Sequence, residues 1–280
     1  MNRIKSLAIS NSIFFLIAFA TSMFSQGNAI NNKDIGDVSN KYDTLFTPAG
    51  VTFSIWGVIY VALFAFSIYH LYKAFREDAL SEANKDTSRM GALFIINNIA
   101  TAAWVFAWVN EQFILSVLLM LTQLVTLIII NVRLKIFNPH RSVYSKIFTH
   151  FPLGIYFAWI CIATIANISA ALVGLGWEGG GVSANYWTII LIAGATLIST
   201  AIIILKKNVF FGLVVIWAFY GIILKHNDGN PALHNDIISA AWGGIAWVGL
   251  AECIQLYINY SQARKRLNMS ADPDQPQVLD

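Results

Sequence analysis

Charge is scarce in this sequence. Asp, Glu, Lys and Arg together supply 12% of its 280 residues, against about 25% in a soluble domain. So few charges cannot cover a water-facing surface, and 57% of the residues are hydrophobic, with mean hydropathy +0.61. Cysteine is nearly absent. Cys161 and Cys253 fall in different apolar stretches, which argues against a disulfide framework and leaves them as small apolar residues. The net charge of +3 follows from topology and implies no nucleic-acid partner. Phosphate-binding glycine loops and the G-x-S-x-G, H-E-x-x-H and C-x-x-C patterns are missing too. His226 and His234 flank a turn, but no cysteine or carboxylate stands at a recognised ligand spacing, so no metal site is expected.

Long apolar runs are what remains. Eight stretches lie at about 6–25, 49–72, 91–109, 112–132, 147–173, 186–205, 208–224 and 237–260. Most hold about 20 residues, enough at 1.5 Å per residue to cross roughly 30 Å of hydrocarbon. The backbone must satisfy itself there, and the runs are too continuous for alternating barrel strands. The expected fold is all-α: a polytopic membrane bundle of about eight transmembrane helices. With a cytoplasmic amino terminus, 15 of the 18 Lys and Arg lie inside, and only Lys33, Lys41 and Lys225 lie outside. That bias puts both termini in the cytoplasm. The first run holds about 18 apolar residues, longer than the usual 7–15 of a signal peptide, so it reads as a retained helix.

Residues 1–173 hold five spans, 174–260 three more, and 261–280 a polar cytoplasmic tail expected to be disordered. The longest loop, 27–48, is on the outer side. Thr47 suits an N-cap and Pro48 the first helical position of the second span. Residues 74–90 and 133–146 read as charged inner loops, and Asn110-Glu111 as a tight outer hairpin. Pro152 falls near the inner end of its span, where a missing N–H costs least. Gly174–Gly181 and Asn227–Pro231 are turns. His70 and His150 read as interfacial residues.

Nine tryptophans are many for this length. An aromatic belt should occupy both membrane faces, yet the inner face has tyrosine and no tryptophan. Asn97, Thr101, Trp104 and Trp108 share one helical stripe; Trp56 and Tyr60 share another; Trp159, Ala163 and Asn167 share a third. Polar side chains in hydrocarbon face protein or a cavity, so the stripes should turn inward. Interhelical hydrogen bonding with aromatic packing explains any single stripe equally well. Three on neighbouring spans favour a shared pocket open to the outer side. Glu252 is the one acidic residue inside a span. It reads either as a proton or cation site or as a carboxyl that fastens the last helix.

Phe46-Thr47-Pro48 followed by Trp56 and Tyr60 resembles the start of the second helix in the tryptophan-rich sensory protein, or translocator protein, family (TspO/MBR). Trp159-x3-Ala163-Thr164-x2-Asn167 is similar to that family's fifth-helix signature. The resemblance covers about residues 1–173. The chain departs from the family pattern at Ala49, Gly50, Ser54 and Thr101, and the three later spans have no counterpart in the five-helix form. The resemblance implies a pocket beneath a 27–48 lid, walled by Phe46, Trp56, Tyr60, Trp104, Trp159, Ala163 and Asn167. Pro48 of the motif and Asn97 and Thr101 of the polar stripe complete the expected ligand-binding set.

Family members bind tetrapyrroles such as protoporphyrin, and some bind sterols or drug-like aromatics. The implied ligand is therefore flat, hydrophobic and aromatic, with no required cofactor. The implied partners are the bilayer, that ligand and, as an open alternative, a second copy of the chain. The implied location is the plasma (inner) membrane. Sensing or transport of the ligand is the leading reading. A proton-coupled transporter using Glu252, or an enzyme degrading a porphyrin, are the alternatives.

Overall fold

The computed structural model describes residues 3–27, 30–136, 141–228 and 231–270. Every regular element among them is helical. Helix α1 (Arg3–Gln26) crosses first, and a short helix, α2 (Ile35–Lys41), follows in the first loop. A 3-10 turn, Gly50–Ser54, leads into α3 (Ile55–Arg76). Helices α4 (Glu82–Met90) and α5 (Leu93–Val109) meet at a 58° bend. Next come α6 (Phe113–Leu134), the single turn α7 (Val143–Ser145), a π-helical turn (Lys146–His150) and α8 (Phe151–Gly174). The chain ends with α9 (Ala184–Lys206), α10 (Val209–Asp228) and α11 (Asn235–Ser270). Seven of these segments are long and apolar enough to cross a membrane; the bent α4–α5 pair meets the same test when its two helices are taken together, for up to eight.

Hydrocarbon offers polar side chains no water, and local bonding deals with many of them. Hydroxyls of Ser12, Ser22, Thr122, Thr164, Thr188 and Thr196 each donate to the carbonyl four residues back, so they add no unmet polarity to their spans. α8 and α10 are the most buried spans. α8 packs against α3, α6 and α10, while α9 and α11 pack on α10 and on each other. One apolar core joins residues of both halves, from Phe15 and Phe66 through Trp159 to Phe219 and Val248.

Four local expectations change. Residues 82–90 form a helix, not a loop. Ser81 caps its N-terminus, accepting from Asn84 N–H, with Glu82 in the first turn and Arg89 in the last, as a helix dipole favours. Its buried side, Ala83, Asp86, Thr87 and Met90, packs on the bundle. That packing covers His70, which is buried with Nδ1 at 2.9 Å from Thr87 and Nε2 at 3.0 Å from Thr149. His150 is fully buried as well, so both histidines face the protein interior rather than lipid or solvent. Thr47 does not cap the second span: its hydroxyl pairs with Thr44, and the helix begins past Ala49. Finally, α11 runs on to Ser270, so the start of the expected tail is helical. The remaining tail, the centre of the 133–146 loop and the Gly229-Asn230 turn lie outside the described residues.

The seam between the halves is tight at Gly221 of α10. Ala49 N–H donates to Gly221 C=O at 3.0 Å, and Trp217 Nε1–H donates to Thr52 C=O at 2.9 Å. A side chain at 221 would meet Pro48 Cβ at 2.9 Å and Thr52 Cγ2 at 2.8 Å. Gly221→Val should therefore lower stability by about 1–3 kcal/mol, as overpacking does. Gly194→Ala, at a site with nothing within 4 Å, should not. Thermal unfolding of both variants in detergent checks this.

Candidate functional site

The three polar stripes do turn inward. Asn97, Thr101, Trp108, Trp159 and Asn167 are buried, as is Tyr60; Trp56, Trp104 and Ala163 are partly buried. Their rings form two groups, one around Trp56 and Trp159 and one of Trp104 with Trp108. Trp56 stacks on Tyr60 at 5.4 Å between centroids and meets Trp159 edge-on at 6.2 Å. Tyr156 lies 6.1 Å from Trp56, and Phe53 closes on Trp159 at 5.8 Å. Trp104 stacks on Trp108 at 5.9 Å. Phe46 is fully buried in the same core, where Ala163 also packs. Pro48 sits against the Gly221 seam. By contrast, Trp242 and Trp247 are exposed on the outside of α11.

The polar members divide into two kinds. Asn97 and Thr101 use their side chains within the protein. Asn97 Nδ2 donates to Gln123 C=O and Thr126 Oγ1, and Tyr156 O–H donates to Asn97 Oδ1 at 2.9 Å. Thr101 donates to Gln123 Oε1 at 2.9 Å. These bonds tie α5, α6 and α8 together. Asn167 is held loosely, donating to Ser116 Oγ at 3.4 Å, and its Oδ1 has no protein partner. The indole N–H groups of Trp104 and Trp159 are likewise buried and unpartnered. A buried donor or acceptor without a partner costs about 1–3 kcal/mol, and three of them lie on α5 and α8 here.

Over this end of the bundle lies the first loop, and it is folded rather than slack. α2 carries a full capping box: Asp34 and Asp37 each accept from the other's backbone N–H, at 2.6 and 2.9 Å. Val38 seats its side chain among Trp108, Phe113, Ala170 and Ala171. Trp108 Nε1–H donates to Ile35 C=O at 3.1 Å. Glu111, at the tip of the α5–α6 hairpin with φ +58, grips the loop from one side. Lys33 and Lys41 reach it at 2.6 and 2.7 Å, and Tyr42 O–H donates to it. From the other side, α10 supplies Lys225, which pairs with Asp43 and donates to Thr44 C=O at 2.8 Å. His226 Nε2 lies 2.9 Å from Leu45 C=O.

The sequence reading passed over these latch residues. One signal for them existed: Lys33, Lys41 and Lys225 are the three exceptions to the charge bias, and all three bind this loop or its anchor. Elsewhere, Glu252 is 5% exposed and its carboxyl lies against the backbone of Gly212 and Leu213 near the start of α10, with Oε1 unpartnered. Cys161 and Cys253 are free thiols. Among the described residues no three His, Cys, Asp or Glu side chains come together as a metal set.

A polytopic helical membrane protein with inward-facing aromatic stripes and a short latched helix packed over Trp108 is the class that fold and site define. The chain belongs to the TSPO-like protein family, whose model matches residues 8–254. The match runs past residue 173 through most of the last three spans. No curated protein and no solved structure matches the chain.

The latch carries a pH dependence. Hydrogen bonds from Lys33, Lys41 and Tyr42 hold the Glu111 carboxyl at about 2, below its usual 4.5, and Glu111 in turn raises Lys41. A depressed carboxylate stabilises the folded state above its unfolded value, and that contribution fades as pH falls through the folded one. The latch should thus be intact above about pH 4.5 and loosen between there and about 2. Amide exchange of 35–41, referred to intrinsic rates at each pH, should accelerate across that window. Glu111→Gln should show the faster exchange at neutral pH and lose the pH response.

Proposed function

We propose that this protein binds a flat, hydrophobic, aromatic ligand of tetrapyrrole type beneath the 30–48 loop and senses or moves it across the plasma (inner) membrane. The reading rests on one observation: Trp104, Trp159 and Asn167 present unpartnered buried polar atoms near the stacked pairs Trp56–Tyr60 and Trp104–Trp108, at the end of the bundle covered by the latched loop. Faces of Trp56 and Trp159 would stack on such a ring system. Asn167 Oδ1 and the two indole N–H groups would orient its polar substituents, in the pattern of a mostly apolar pocket with few polar groups. The lysine and arginine bias supports cytoplasmic termini, which would turn the lid outward. Entry would require the lid to lift from Glu111 on one side and Lys225 on the other.

A second reading makes Glu252 a proton-coupling group in transport. Its buried, partly unpartnered carboxyl supports this. Its contact with the α10 backbone supports a fastening role equally. Glu252→Gln that preserves ligand binding and abolishes pH-driven uptake would establish the transporter, whereas unchanged uptake would exclude it. An absorbing product formed from protoporphyrin under illumination would instead mark the protein as an enzyme.

The binding reading has its own test. In purified protein, protoporphyrin should quench tryptophan fluorescence saturably. Trp56→Leu and Trp159→Leu should each weaken the apparent affinity by about tenfold or more, as losing a stacked aromatic does. Trp242→Leu, on the exposed side of α11, should leave it unchanged. Equal affinity in all three variants and the parent would remove the proposal.

A further inference from the structure

A groove of about 740 Å³ opens between α6, α8, α9 and α10, and none of the candidate ligand residues lines it. On α8 it uses the side that carries Cys161 and Ile165, turned away from the stripe of Trp159, Ala163 and Asn167. Its walls are apolar, and Val132 of α6 and Ile198 of α9 are more than half exposed along its edges. Polarity gathers at one end. Lys135 closes α6, Lys206 ends α9 and Lys207 follows it. Lys207 reaches Gln262 Oε1 at 3.4 Å, and among the described residues none of the three lysines makes an ion pair. The N-terminus of α10, capped by Asn208 Oδ1 on Phe211 N–H, begins at the same end and adds positive potential there.

Dimensions narrow the occupant. The groove runs from Leu124 to Ile136 on α6 and from Ala195 to Lys206 on α9, about 16–18 Å at 1.5 Å per residue. That is close to half of a hydrocarbon core of roughly 30 Å, the depth of one leaflet. The lysines therefore stand at headgroup level, with an apolar channel of acyl-chain depth beneath them. We propose that this groove seats an anionic phospholipid from the leaflet on the lysine-rich side. Its acyl chain would lie on α8 between α6 and α9, and its phosphate among Lys135, Lys206 and Lys207. Basic pockets between spans recognise anionic headgroups by this charge complementarity. The site is built half from residues before 174 and half from residues after, so it gives α9 and α10 a task separate from the lid. It does not rest on the aromatic-ligand reading, and either can fail alone.

Native mass spectrometry of the full-length protein with equimolar phosphatidylglycerol and phosphatidylcholine tests it. The parent should retain phosphatidylglycerol in preference by on the order of tenfold. Lys135→Gln/Lys206→Gln/Lys207→Gln should lose the preference, and the matching triple arginine variant should keep it. A role for the lysines in complementing helix C-termini alone would change stability in the glutamine variant without changing lipid choice. Ile198→Trp, which fills the groove with the lysines intact, should lower retention of phosphatidylglycerol. Equal retention of both lipids by the parent overturns the proposal, as does an unchanged preference in the glutamine variant. Displacement of the lipid by inorganic phosphate alone would reduce the site to a headgroup ion site and overturn it too. So would efficient Ile198→Cys cross-linking between two copies with no lipid retained.

Discussion

Hydrocarbon gives a polar group no solvent to fall back on, and the rest of this structure follows from that. Each span is a helix because only a helix bonds its own backbone. Serine and threonine turn back onto their own carbonyls for the same reason. Where side chains cannot manage alone, they bridge helices. Tyr156, Asn97, Thr101 and Gln123 form such a chain through the middle of α5, α6 and α8. The indole N–H groups of Trp104 and Trp159 are buried without a partner, as are polar atoms of Asn11, Ser67, Ser199 and Gln123 elsewhere in the bundle. In water they would mean nothing. In a bundle interior each carries a cost that a bound polar group would relieve.

Electrostatics works by a different rule at the two ends. At the lysine- and arginine-rich end, cations are numerous and most face outward. At the other end there are three lysines, and each is committed to Glu111 or Asp43. Exposed pairs like these contribute little to global stability. Their value is positional: they hold a seven-residue helix, too short to persist alone, over Trp108. The two grips differ in origin. Glu111 lies between α5 and α6, and Lys225 on α10, far later in the chain.

The spans were legible because length and continuity suffice to identify them, and the inward turn of Trp56, Trp104 and Trp159 was legible because polar residues share their stripes. Trp242 and Trp247 carry no such companions and are exposed. α4 was hidden by composition. Its Glu82-Ala-Asn-Lys-Asp run reads as a loop until the bundle supplies a surface for Ala83 and Met90. α2 was hidden by size, although Asp34 and Asp37 spell a capping box at the right spacing. The latch to α10 was out of reach for a plainer reason: Asp43 and Lys225 stand 182 positions apart, and no local pattern links them.

That separation also bears on how the molecule is made. The loop leaves the ribosome long before its partner on α10 exists. At about 5–20 residues per second, the interval is on the order of 10–40 s. Through that wait the Ala49 amide and the Thr52 carbonyl have no mate from α10. The nascent protein therefore passes through a stage with its amino-terminal helices inserted and its roof half fastened. Only completion of the seventh crossing shuts it.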